Sequence, residues 1–350
     1  MKILVTGGCG FLGSNIASSF LDDSHSVFLI DSLYRKGSSA NLQWLQSRYS
    51  KSQLKFFQID ISDAHLVEDI FSSYGPFDYV CHLAGQVAMT TSLLDPRRDF
   101  NTNALGTFNI LEAVRKHSPS SFLAYSSTNK VYGDLEFITT SESESRYYLP
   151  SFPDGLDESL KLDFSTPYGC SKGAADQYVH DWSRIYGLKT VVFRHSSIYG
   201  GRQFSTSEQG WVGWFCAQAL SQSKQIKSGQ QVDAFTVSGT GKQVRDILHA
   251  DDLIRLYKLA YQHRNSISGH IFNIGGGISN SISLLELFSL LSDKLACGPL
   301  LFKHIPRRES DQDFFVACNS KITTLSGWAP EVTIENGIER MLQWINELST

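Results

Sequence analysis

No apolar run in the 350 residues is long enough to cross a membrane, and the opening Met-Lys-Ile-Leu-Val-Thr breaks into glycine before a secretory core could form. A cytoplasmic protein is expected. Basic charge is also scarce, with 31 Lys and Arg against 35 Asp and Glu for a net charge of −4, so no broad cationic face is available for nucleic acid. Six cysteines (Cys9, Cys81, Cys170, Cys216, Cys297 and Cys318) stand apart with no Cys-x-x-Cys among them. Zinc spacings and a dense disulfide framework are thereby excluded, and reduced packing residues without a metal site are expected. The 19% charged and 41% apolar fractions are those of a folded globular chain, long enough for one large domain or two that share a core.

Glycine is plentiful instead, and its first cluster follows a strand-like run. Lys2 to Thr6 is apolar, Gly7-Gly8-Cys9-Gly10-Phe11-Leu12-Gly13 turns the chain, and Ser14 to Leu21 repeats apolar residues at helical spacing. Strand, glycine turn and helix come in the order of a Rossmann unit. Gly7, Gly10 and Gly13 let the backbone approach a pyrophosphate, and the amides of the helix start, at Phe11 and Leu12, favour its charge. A second strand, Val27 to Ile30, ends in Asp31-Ser32. A carboxylate there accepts from adenosine ribose hydroxyls and repels a 2′-phosphate, so NAD is preferred to NADP. Arg35 and Lys36 pull the other way, because a basic pair suits the extra phosphate; a solvated loop is the alternative.

Strands at Leu54–Ile59, Tyr79–Leu83 and Phe122–Ser126 alternate with helices at Ala64–Tyr74 and from about Asn101 to Lys116. Such alternation implies an α/β fold with a Rossmann-type, doubly wound parallel sheet. Ligands of these sheets lie beyond the carboxyl ends of the strands. Asp60 and Ile61 are placed to meet adenine; Leu83, Ala84, Gly85 and Gln86 are placed to border the nicotinamide ribose. Asn103 is a further cofactor contact, or a capping or solvent-facing amide. After a strand at Thr190–Arg194 the alternation fades. A smaller α+β domain, 199–243 and 274–350, is expected to interleave with a cofactor domain of 1–198 and 244–273. Val332 to Leu348 has the spacing of a closing helix.

Pro167-Tyr-Gly-Cys-Ser-Lys172 carries the chemistry. Tyr168 and Lys172, four apart on a helix, project from one face and can act on one atom. A phenol is a poor base at neutral pH, since its reference pKa is about 10, but a nearby ammonium favours the phenolate. Cys170 between them is a nucleophile or, more simply, a small residue in the helical turn. The stretch 135–166, with Ser-Glu-Ser-Glu-Ser, Pro150, Pro153 and Gly155, reads as irregular loop: a lid over the site or a solvated excursion.

Taken together, several segments resemble the extended short-chain dehydrogenases/reductases that act on nucleotide sugars. They are Thr-Gly-Gly-Cys-Gly-Phe-Leu-Gly near the start, His-Leu-Ala-Gly at 82–85, Ser-Ser-Thr-Asn-Lys-Val-Tyr-Gly at 126–133 and the Tyr-x-x-x-Lys at 168–172. Val-Arg-Asp-Ile-Leu-His at 244–249 and Arg-Glu-Ser-Asp at 308–311 complete the set. The resemblance implies tightly held NAD, Tyr168 as base, Thr128 binding the reacting hydroxyl and Lys172 also holding the nicotinamide ribose. Ser126 and His195 are then expected near the nicotinamide, His195 as a second acid/base or as a structural histidine. Arg245 and Arg308 lie in matching segments and suit a diphosphate. Asp311 is expected on the nucleotide ribose, and Gln209, Trp211 and Gln243 in the sugar or base pocket.

Gly-Gln-Val-Ala-Met-Thr-Thr-Ser at 85–92, Phe-Arg-His-Ser-Ser at 193–197 and Gln-Gly-Trp-Val-Gly-Trp-Phe at 209–215 look like one branch of that family, which inverts CDP-linked sugars at C2. Sugar 4,6-dehydratases of the family place an Asp-Glu pair where Asn129 and Lys130 stand, which disfavours dehydration here. A UDP-sugar 4-epimerase is the nearest rival, and a non-catalytic NAD(H) sensor the rival of another class. Pairing through two long helices, as a homodimer or homotetramer, is expected by resemblance.

Overall fold

Seven strands form one parallel sheet in the computed structural model, which describes residues 1–308 and 310–348. They are β1 Lys2–Thr6, β2 Ser26–Ile30, β3 Leu54–Phe57, β4 Tyr79–His82, β5 Phe122–Thr128, β6 Lys189–His195 and β7 Ile271–Ile274. Their order across the sheet is β7-β6-β5-β4-β1-β2-β3. The chain therefore reverses direction between β1 and β4, and a crevice opens beyond their carboxyl ends. Register fixes what meets there: Thr6 lies opposite both Ile30 and His82. The glycine turn, Asp31 and Leu83 thus leave the sheet at one level.

The strands are apolar without alternation because both faces are covered. Ile3, Val5 and Leu29 pack with helices Phe11–Asp22 and Ala250–Gln262 on one side. Leu4, Ile30 and Val80 pack on the other with helices Ala64–Tyr74, Gly106–His117 and Thr166–Tyr186. The smaller part is built on strand Val244–His249, which pairs with Ser197–Tyr199, Ser281–Ser283 and Phe314–Phe315. Of 244–273, then, the first strand belongs to this smaller sheet and the last joins the main one as β7. Phe215, Phe235 and Phe288 fill its core. The closing helix runs Ile334–Leu348.

Three features depart from the sequence reading. A polar helix, Ser38–Arg48, follows the left-handed Gly37. The helix expected from Asn101 opens with a π-helical turn, Asn101–Leu105, ahead of Gly106–His117. The stretch 135–166 is exposed over much of its length but anchored at three leucines. Leu135, Leu149 and Leu156 are buried against Phe314 to Ala317, and Leu156 exchanges backbone hydrogen bonds with Val316 and Cys318.

Loop 200–206 joins the two parts. Arg202 lies between the rings of Trp44 and Trp344, 4.1 and 4.8 Å from their centroids. The buried Asn41 amide donates to Arg202 O and to Cys9 O of the glycine turn. All six cysteines are free. Among the described residues no helix is long and apolar enough to cross a membrane.

Candidate active site

The glycine turn is shaped by close approach. Gly7 takes φ +66°, and a Cβ there would meet the Ala84 backbone at 2.8 Å; at Gly13 it would meet Gly7 O at 2.1 Å. Helix Phe11–Asp22 starts from Gly10 with no side-chain cap, leaving its first amides for an anion. Asp31 is buried at the end of β2, where Cys9 N and Leu33 N donate to it at 2.9 and 2.8 Å. Burial pushes its pKa up, and these hydrogen bonds oppose that shift.

A cavity of about 660 Å³ runs from this turn to the smaller part. Gly7, Gly10, Phe11, Leu12, Gly13, Asp31, Ser32, Arg35, Lys36, Asp60, Ile61, Leu83 and Gln86 line one end. Ser126, Thr128, Tyr168 and His195 line its middle, and Gln209, Trp211, Arg245, Arg308 and Asp311 the far end. Three residues singled out from the sequence are not in that wall. Lys172 lies one layer back, where its Nζ donates to Ser126 O and sits 4.3 Å from the Tyr125 ring centroid. Asn103 holds Gln86 through both its amide atoms. Gln243 instead closes its own turn by donating to Ser238 O.

Tyr168 is at the head of helix Thr166–Tyr186 and is 8% exposed. Burial pushes its pKa up to about 12; the Thr128 hydroxyl within hydrogen-bonding reach and the Arg35 guanidinium pull it back, and Asp99 pushes it further. Lys172, also buried, is pushed down to about 7. Desolvation dominates both groups, and the charge that pulls the phenol down is the Arg35 guanidinium rather than the expected Lys172 ammonium. His195 is neutral, pushed down to about 3 by burial and by Lys172. Its Nδ1 meets Ser126 Oγ at 3.1 Å, while Nε2 has no partner among the described residues.

At the far end Arg245 pairs with Asp311 at 2.7 Å and also donates to Gln312 O. Arg308 donates to Ser207 O and is exposed along the rest of its length. Glu309, within the same segment, lies outside the described residues. Sequence reasoning treated Lys130 only as a departure, yet it lines this end, donating to Ser310 O at 2.9 Å. Burial and Arg245 lower its pKa to about 8. Its replacement of a carboxylate was the signal available.

A glycine cradle, uncapped amides and a buried carboxylate at the switch point fit a dinucleotide. The model of the NAD dependent epimerase/dehydratase family matches residues 3–275. The chain belongs to this family. Along 348 residues, 99% of this chain and 100% of the relative, it is 52% identical to CDP-paratose 2-epimerase of Salmonella typhi. UDP-glucose 4-epimerase of Thermotoga maritima, solved with UDP-glucose, superposes with a TM-score of 0.82 at 28% identity, covering each chain completely. The Thermus thermophilus UDP-glucose 4-epimerase in complex with NAD gives 0.77 at 26% identity over 99% of each chain. This family member is an NAD-dependent nucleotide-sugar epimerase.

Proposed function

We propose that this chain interconverts CDP-paratose and CDP-tyvelose by inverting C2 of the sugar. The observation that carries the reading is the 52% identity to the Salmonella typhi enzyme along the full chain. Asn129 and Lys130 agree with it, since they leave no acid/base carboxylate pair for dehydration beside Thr128.

In this reading the glycine turn and the Phe11 and Leu12 amides hold the NAD pyrophosphate, and Asp31 takes the adenosine ribose. When bound there, NAD would supply reversible hydride transfer, by which C2 can be oxidised to a ketone and then reduced on its opposite face. Tyr168 takes the proton of the C2 hydroxyl and later gives it back. Thr128 orients that hydroxyl. Lys172 holds the nicotinamide ribose and, when charged, favours the phenolate. His195 Nε2 is a ready donor or acceptor for the nicotinamide amide. Arg245 and Arg308 hold the diphosphate, and Asp311 the nucleotide ribose. The cycle is redox-neutral and needs no second electron carrier.

NMR of the product formed from CDP-paratose tests the reading. Inversion at C2 is expected; inversion at C4 of a UDP-sugar, with CDP-paratose untouched, would replace it with the 4-epimerase reading. We also assign a homodimer. Phe100, Phe108, Tyr178 and Ile185 are 57%, 37%, 43% and 65% exposed on neighbouring helices, an apolar strip that light scattering should find covered by a second copy. A cytoplasmic location is part of the same proposal, since a charged nucleotide sugar does not cross a membrane unaided.

A further inference from the structure

Beneath the reacting pair lies a carboxylate that the proposed cycle does not use. Asp99 is on the short helix Pro96–Phe100 and is completely buried, whereas its neighbour Arg98 lines the cavity above the Tyr34 ring. Its oxygens face only side chains of the site. Gln86 Nε2 donates at 2.9 Å, Asn103 Nδ2 at 3.4 Å, and the Ser171 hydroxyl also donates to it. Ser171 is the residue between Cys170 and Lys172 on the catalytic helix. Gln86 is locked in turn, giving a hydrogen bond to Ala88 O and taking one from Ala88 N. One carboxylate therefore fastens loop 85–88 to the helix that carries Tyr168 and Lys172.

Burial pushes the Asp99 carboxyl up, and the hydrogen bonds from Ser171, Gln86 and Asn103, with the Lys172 ammonium, oppose that shift in favour of the anion. We propose that Asp99 is a positioning residue whose negative charge sets the pH at which Tyr168 becomes a base, besides clamping loop 85–88 to the catalytic helix. An anion below the pair disfavours a second anion on Tyr168 and favours the cation on Lys172. The phenol is thereby kept protonated until bound positive charge outweighs Asp99. Other titratable groups facing the pair are Asp176 on the same helix, Arg35 after β2, Tyr125 on β5, His195 on β6 and His82 on β4. Asp176 is already committed to a bidentate pair with Arg194, and both histidines are neutral. Asp99 has no such countercharge in direct contact among the described residues.

The inference rests on Tyr168 being the base, and its test needs no sugar. Phenolate absorbance of the NAD-loaded protein, minus that of Tyr168→Phe, gives the ionisation midpoint of Tyr168. Asp99→Asn, close to isosteric, should lower that midpoint by roughly one pH unit. Asp99→Ser should lower it in the same direction. Ser171→Ala breaks the hydrogen bond but keeps the charge, and its midpoint should stay at the wild-type value. An unchanged or raised midpoint in either neutral variant overturns the proposal, as does a fall in Ser171→Ala equal to that in Asp99→Asn. Failure of both neutral variants to fold also overturns it, by making Asp99 a requirement of the fold alone. A midpoint that moves as expected in a protein that epimerises nothing would sink the proposed reaction and leave the Asp99 inference standing.

Discussion

The cavity's two ends are made differently. At the end proposed for the cofactor the floor is backbone, with Gly7 pressed against Ala84 and Gly13 against Gly7, beside the buried carboxylate of Asp31. At the end proposed for the sugar nucleotide it is charged side chains, Lys130, Arg245, Arg308 and Asp311, each tied to a neighbour. A backbone wall offers a fixed shape that fails when any atom is added. A side-chain wall fails piecemeal and follows pH. Tyr168 and Thr128 stand where the two meet.

Breaking the junction should cost most. Tyr168→Phe should lower turnover by about 10²- to 10⁴-fold, the usual worth of a general base, with NAD still bound; single-turnover kinetics and the NAD content of the purified protein check both halves. Near-normal turnover would remove Tyr168 as the base. Next comes the backbone end. Gly13→Ala puts a methyl group against Gly7 O, and overpacking of about 1–3 kcal/mol corresponds to a 5- to 150-fold weaker grip on NAD. Equilibrium dialysis measures it, and unaltered NAD affinity would mean that the turn yields.

Losses at the side-chain end should be smaller and selective. Arg308→Ala should raise KM for the nucleotide sugar by about tenfold, a charge-assisted hydrogen bond's worth, with little change in NAD affinity. An equal loss for both ligands would erase the distinction between the two ends. The mildest effect is a pH dependence. Lys130 carries its charge below about pH 8 and loses it above, so KM should climb a few-fold as pH passes that value while NAD affinity stays level. Lys130→Met should flatten the climb, and a wild-type KM that stays level through pH 8 would show that Lys130 does not meet the substrate.

The same contrast explains what could be read from sequence. Glycine turns and buried parallel strands repeat short signals, so the strand, glycine turn and helix around Gly7 to Gly13, the strand ending before Asp31 and the parallel sheet followed from spacing, while the order of the strands did not. That Tyr168 and Lys172 share a helical face followed from their spacing, and their candidacy as a pair from the resemblance of the surrounding segments; the balance of their protonation did not, because burial is invisible along a chain. Helix Ser38–Arg48 escaped notice because its face is mostly polar and its start is a left-handed glycine without a side-chain cap. Leu135, Leu149 and Leu156 stand 14 and 7 apart, but the stretch between them holds Ser-Glu-Ser-Glu-Ser, Pro150, Pro153 and Gly155 and carries no continuous helical pattern, so their joint burial appears only in three dimensions. Asp99 within Pro-Arg-Arg-Asp-Phe looks like one more solvated charge. Only the turn of its short helix shows that it faces inward.

Arg202, gripped by Trp44 of the cofactor part and Trp344 of the closing helix, gives the molecule a built-in optical gauge. The two halves cannot part without drawing a guanidinium off an indole, and indole emission responds to a cation on its face. Any hinge movement that admits or releases a ligand would therefore be written into the protein's own fluorescence, with no dye attached.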